Sequence, residues 1–182
     1  MSDTCRYFDS ADPHNTDDVL SLAFDYATSN GIAKVIVAST TGETALKALP
    51  LAADAGVRLI IVGHQYDFTG DGWEMPPELQ DKLRAGGATV YFGTMPLAVF
   101  RNLGGGSLGV VADTLRFFCQ GMKVAVEMSF MCADAGLVTP DEEVVTVSGS
   151  HVGADTVTVI KPSTTKEFFL LRIQRVLAKP LA

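Results

Sequence analysis

The chain has 182 residues, 47% of them apolar, which is enough for one compact domain with an ample core and no need of disulfides or a metal. Its net charge of −7 argues against nucleic acid or an anionic membrane surface as the main partner, while leaving room for a local positive site. No apolar run approaches the about 20 residues of a membrane span. The start MSDTCRYFDS lacks the basic and apolar regions of a signal peptide. The widely spaced Cys5, Cys119 and Cys132 fit a reducing compartment, so a cytoplasmic protein is expected.

Cys5–His14 is short, polar and dotted with aromatics, and is expected to pack as an extended arm. Asn15-Thr16-Asp17-Asp18 offers caps and acidic first-turn residues for a helix, with Val19, Leu20, Leu22, Ala23 and Tyr26 on its apolar face and a stop at Asn30-Gly31. Val35-Ile36-Val37 is a β-branched strand. It halts at Ser39-Thr40-Thr41-Gly42, and a second helix begins at once, with Ala45, Leu46 and Leu49 on one face. Arg58–Val62 is another apolar strand, and a long loop opens at Gly63-His64-Gln65. A helix from Pro76-Pro77-Glu78 to Gly86-Gly87 and a strand Thr89–Phe92, ending in Gly93-Thr94, complete a helix–strand alternation. That alternation implies parallel strands with right-handed helical crossovers.

Pro96–Leu103 reads as a short helical piece running into Gly104-Gly105-Gly106-Ser107. Val111, Leu115, Phe118, Met122, Val126, Phe130 and Ala133 then step as one long buried helix, which Gly121 bends or opens to a close neighbour. Glu143–Ser148 and Thr156–Lys161 are strands joined by Gly149-Ser150-His151-Val152-Gly153-Ala154-Asp155. The tail Phe168–Leu177 suits a helix or a strand.

The strongest chemical signal is Ser39-Thr40-Thr41-Gly42-Glu43-Thr44. A strand, a hydroxyl-rich turn and a helix aim N–H groups, hydroxyls and the positive helix end at one spot, which suits a phosphate. The plainer alternative is a β–α turn whose hydroxyls merely cap the helix. No Gly-Lys-Ser/Thr follows the strand, which disfavours a P-loop hydrolase. Gly104–Gly109 matches G-x-G-x-x-G, but a helical piece precedes it, so a dinucleotide fingerprint is disfavoured and a flexible turn preferred. Gly149–Thr156 is either an ordinary connection or a flap over the same site. His14, His64 and His151 lack metal-ligand spacing, and Asp67–Gly72 lacks a full calcium loop. His64 is a site residue or a capped loop histidine. Lys123 and Glu127 are expected to pair structurally, and Cys119 and Cys132 to act as small core residues.

The run VIVASTTGETA resembles the loop of the pyruvate kinase C-terminal α/β domain that grips a phosphate of its sugar bisphosphate activator. EVVTVSGSHVGADTVTVIKP is similar to the closing strands of that domain. With LRFFCQGMKVAVEMSFMCADAGL and the tail VLAKP, the chain resembles stand-alone pyruvate-kinase C-terminal-domain-like proteins from about Asp18 to Pro180. The resemblance implies a three-layer α/β/α domain spanning the chain, with roughly five or six mostly parallel strands, and it implies FMN as cofactor. Carried over, the flavin phosphate would meet Ser39, Thr40, Thr41, Gly42 and Thr44. His64, Gly93 and Thr94, with Gly149, Gly153, Ala154, Asp155 and Thr156, would form the remaining wall at the C-terminal strand ends.

Three functions follow as expectations: an FMN-binding protein, acting as a flavin oxidoreductase; a non-catalytic sensor of a phosphorylated metabolite; and a cofactor-free enzyme on a small phosphorylated substrate, disfavoured for want of a recognisable nucleophile or base. A homo-oligomer is neither required nor excluded.

Overall fold

The structure is a computed structural model, which describes residues 4–70, 72–98 and 106–181. In chain order its elements are β1 (Arg6–Phe8), α1 (Thr16–Asn30), β2 (Lys34–Ala38), α2 (Glu43–Ala55), β3 (Arg58–Gly63), α3 (Pro77–Ala85) and β4 (Thr89–Phe92). There follow α4 (Gly106–Arg116), α5 (Gln120–Asp134), β5 (Val144–Ser148), β6 (Thr156–Lys161) and β7 (Arg172–Pro180). All seven strands form one sheet in the order β1-β7-β6-β5-β2-β3-β4. β2 runs parallel to β3 and β5, β3 to β4, and β1 to β7, whereas β6 is antiparallel to both of its neighbours.

The period-2 pattern of the strands divides the core. Val35, Val37, Leu59, Ile61, Val145, Val147, Val157 and Val159 join α1 and α2 residues such as Leu20, Ala23, Ala45 and Ala48 in one buried cluster. The alternate positions Ile36, Ile60, Val62, Val144 and Ile160 join Met128, Phe130 and Cys132 of α5 in another. Helices therefore cover both faces of the sheet. Burial pushes the Cys132 thiol up to about 12, which makes it an inert part of that core.

Three expectations change. The sheet has seven strands rather than five or six. The added one, β1, is only three residues long, too short to carry an alternating signature, and forms by pairing with β7 rather than by its own propensity. The tail, open to helix or strand, divides: Thr165–Leu170 is a 3-10 helix and Arg172–Pro180 is strand β7, for which β6 supplies a partner that a helical period cannot foresee. The single long helix is two, α4 and α5. Between them Cys119 is fully extended (φ 175°, ψ 167°), its thiol accepts the Met122 N–H at 3.4 Å to cap α5, and Phe118 is exposed. Gly104 and Gly105 of the glycine run, and Asp71, lie outside the described residues.

Among the described residues no helix is long and apolar enough to cross a membrane, and no cluster of side chains is arranged to hold a metal ion.

Candidate functional site

Strand order reverses on either side of β2: the chain moves outward through β3 and β4, then returns to place β5 on the other flank. A crevice opens beyond the carboxyl ends of strands at such a reversal. Here it is a cavity of about 530 Å³. One wall is the β2–α2 turn, another the β5–β6 loop, and a third comes from α4 and α5.

The turn is built by an abrupt exit from the sheet. Ser39 stays tied to it, its N–H donating to the Val62 carbonyl at 3.0 Å, while its hydroxyl accepts the Ala45 N–H at 3.1 Å. Ser39 thus caps α2, and the capping role foreseen for this turn falls to one hydroxyl. Gly42 has φ +97°, and a Cβ there would lie 2.3 Å from Leu79. Only glycine suits both the left-handed backbone and the contact. It shapes the turn without lining the cavity, whereas Ser39, Thr40, Thr41 and Thr44 line it. The N–H groups from Thr40 to Thr44 have no hydrogen-bond partner among the described residues, because the first bond of the helix is Leu46 N–H to the Gly42 carbonyl at 3.0 Å.

His64 follows β3 directly and lines the same space. Its Nδ1 lies 2.8 Å from Glu74 Oε2 and its Nε2 lies 3.5 Å from Thr40 Oγ1. The ring also packs on Phe68, with centroids 4.5 Å apart.

The β5–β6 loop contributes Gly149, Ser150, His151, Val152 and Gly153. Ala154, Asp155 and Thr156 are buried behind it. There the Asp155 carboxylate accepts from the Ser150 N–H (3.0 Å) and the Thr156 hydroxyl (2.6 Å), and Ala154 N–H donates to Thr16 Oγ1 (3.0 Å). These three hold the loop in place and do not face the cavity. Gly93 and Thr94, at the end of β4, are not part of the lining either.

The third wall was absent from the sequence reading. One face of α5, comprising Gln120, Lys123, Val124, Glu127, Met128 and Met131, looks into the cavity, joined by Arg116 from α4. Arg116 donates to Gln120 Oε1 at 2.7 Å. Lys123 and Glu127 form a buried ion pair, with side chains 4% and 2% exposed, and Glu127 Oε1 also accepts the Ala98 N–H at 2.9 Å. The pairing expected from their spacing is present, and the pair doubles as cavity wall. The available signal was the row of polar side chains at 116, 120, 123 and 127 in an otherwise apolar segment.

Close packing fixes the approach of α5 to the sheet. A Cβ at Gly121 would lie 2.1 Å from Thr156 Oγ1, and the Gly121 carbonyl accepts the Ser148 hydroxyl at 2.8 Å. The close-neighbour role foreseen for this glycine is what the backbone shows.

Residues 17–160 match the family model described as pyruvate kinase, alpha/beta domain. Among solved structures, a pyruvate kinase from Cryptosporidium parvum aligns with 81% of this chain at 13% identity and a TM-score of 0.46, and the match spans 23% of that longer protein. An O-ureido-L-serine synthase aligns with 56% of the chain and 28% of its own length, at 21% identity and a TM-score of 0.32. A methyltransferase from Podospora anserina, solved with SAH bound, aligns over 70% of the chain and 50% of its own length, at 10% identity and a TM-score of 0.30. With most of its length matched by the model, from Asp17 to Ile160, the chain belongs to the pyruvate kinase alpha/beta domain family.

Proposed function

We propose that this domain binds a phosphorylated ligand, with the phosphate on the β2–α2 turn and the rest of the molecule in the cavity. The observation that carries the reading is the run of unpartnered N–H groups from Thr40 to Thr44, at the start of α2 and on the cavity's edge. Such donors are costly to leave unmet away from water and favour anionic oxygen. The hydroxyls of Thr40, Thr41 and Thr44 add donors on the same side.

FMN is the first candidate. The residues present suit it: the turn for its phosphate, and Phe68, Met95, Met128 and Met131 as an apolar wall for a flat ring. Bound flavin would supply hydride and one-electron chemistry, making the domain an oxidoreductase, while the protein binds and orients it. A second reading, a sensor of a small phosphorylated metabolite, is favoured by the polar far wall of Arg116, Gln120 and Lys123. That wall suits a hydroxylated or carboxylated compound better than an aromatic ring.

The test is an absorbance spectrum of the purified protein, followed by mass analysis of whatever heat releases. Oxidised-flavin bands and released FMN support the first reading. A colourless protein that takes up no added FMN but binds small phosphate esters supports the second. Failure to bind any phosphate compound would sink both.

A further inference from the structure

The cavity holds a pairing that phosphate binding alone does not need. An imidazole with a carboxylate on Nδ1 is fixed in orientation and tautomer: Nδ1–H donates to the carboxylate, and Nε2 is left with a lone pair. His64 has this arrangement with Glu74 at 2.8 Å. Its Nε2 points toward the Thr40 hydroxyl at 3.5 Å, the loose limit of a hydrogen bond. Both ring and hydroxyl line the cavity. A hydroxyl therefore fits opposite Nε2, and the existing one is held weakly enough for a ligand hydroxyl to displace it.

We propose that His64 and Glu74 form a hydrogen-bond-accepting dyad, whose target is a hydroxyl on the carbon chain next to the phosphate of the bound ligand. His64 touches the ligand. Glu74 acts through it, as a positioning residue. In the complex the dyad is built for, the ligand O–H donates a hydrogen bond to the Nε2 lone pair. The Glu74 carboxylate on Nδ1–H makes that lone pair the stronger acceptor. Thr40 Oγ1 keeps the place of that hydroxyl in the free protein. This inference rests on the phosphate reading for the position of the ligand, and on the His64 geometry for everything else.

Two nuclear magnetic resonance measurements on the full chain test it. The first records the His64 ring nitrogens at about pH 8, where an ordinary imidazole is neutral. Nδ1 protonated and Nε2 bare is the expected state, lost in Glu74→Ala. The opposite tautomer in the wild type would overturn the dyad. The second titrates two probes of equal chain length, glycerol 3-phosphate and propyl phosphate, which differ in their hydroxyls. Both are expected to shift the backbone amides of Thr41 to Thr44, while only glycerol 3-phosphate shifts His64 Nε2 and binds about tenfold more tightly, as one well-made hydrogen bond to a polar site allows. His64→Phe should bring the affinities of the two esters to within about twofold of each other, and a tenfold preference for glycerol 3-phosphate that survives it would overturn the dyad. Amides that respond while the ring treats both esters alike would overturn the dyad and spare the phosphate site. Amides silent to both would remove the phosphate reading and, with it, the ligand hydroxyl this proposal needs.

Discussion

The two loops that wall the cavity are close in composition and differ in how firmly their bases are held. Ser39–Thr44 and Gly149–Asp155 both leave the carboxyl end of a central strand, and both carry glycine and hydroxyl residues. In the β5–β6 loop the Asp155 carboxylate, the Thr156 hydroxyl and the Ser150 and Ala154 N–H groups are tied down. Ser150 and His151 still line the cavity, and the N–H groups of His151, Val152 and Gly153 have no partner among the described residues. Asp155 holds Ser150 and Thr156, Thr16 holds Ala154, and a Cβ at Gly149 would lie 2.5 Å from the Gly153 carbonyl oxygen. In the β2–α2 turn the Ser39 hydroxyl is committed to the Ala45 N–H and the Thr40 hydroxyl is held loosely by His64, while a row of N–H groups remains open. Glycine and hydroxyls in a loop thus describe either a rigid wall or a receptive one, and the partners of the donors decide which.

That contrast can be broken by substitution, and the largest effects should fall on the closed loop. Gly149→Ala or Gly153→Ala should destabilise the fold by about 2–4 kcal/mol, seen as a lowered thermal midpoint. The first meets backbone, and the second combines φ +78° with a contact to Pro13. Asp155→Ala should cost about 2 kcal/mol in denaturant titration, since it leaves the Ser150 N–H and the buried Thr156 hydroxyl short of their partner.

The open turn should behave differently. Thr41 is exposed, so Thr41→Val should stay within about 0.5 kcal/mol in stability, yet weaken the binding of inorganic phosphate about fivefold by titration. Equal losses of stability in both loops would erase the distinction. An aspartate at Gly42, which looks like a pure probe of anion binding, would instead strain the +97° backbone and collide with Leu79.

A smaller effect at the far end of the sheet sharpens the picture, because it should leave both loops untouched. Lys34 begins β2 and bonds the Glu142 carboxylate at 2.7 Å and the Leu137 carbonyl at 2.9 Å. Burial alone would raise the Glu142 carboxyl, but the Lys34 ammonium and the Thr139 N–H outweigh it and hold it below its ordinary value. A carboxyl lowered in the native state adds stability above its unfolded value and loses it as pH falls through the native one. Glu142→Gln should therefore cost about 1 kcal/mol near neutral pH and flatten the acid limb of the stability profile below about pH 4. Phosphate binding should not change.

What could be read from the chain follows the range of the forces involved. The β2–α2 unit was legible because Val35–Val37, the hydroxyl cluster and the α2 apolar face are local features in one continuous stretch. The strands β5 and β6 were legible for the same reason, while their antiparallel pairing is what the structure adds. The α5 wall was not, since Lys123 and Glu127 look from sequence like any i, i+4 pair, and only tertiary packing turns them toward a turn some 80 residues earlier. Glu74 was missed as the partner of His64 because an irregular loop sets its reach, and no period describes that loop. The break before α5 was hidden by its cap, a thiol in place of the oxygen that usually marks a helix start.

The outer edge of the sheet carries a consequence for how the protein behaves when crowded. β1 covers only Ala178, Lys179 and Pro180 of the nine-residue β7. Past that short cover, the strand continues as RIQRVL, which places Arg172, Gln174 and Arg175 among its apolar residues. A bare strand invites a second chain to add itself, but bringing two such edges together would set like charges side by side. Arg172 is the gatekeeper of this edge, and replacing it with valine or threonine should increase edge-to-edge assembly, read as light scattering against protein concentration.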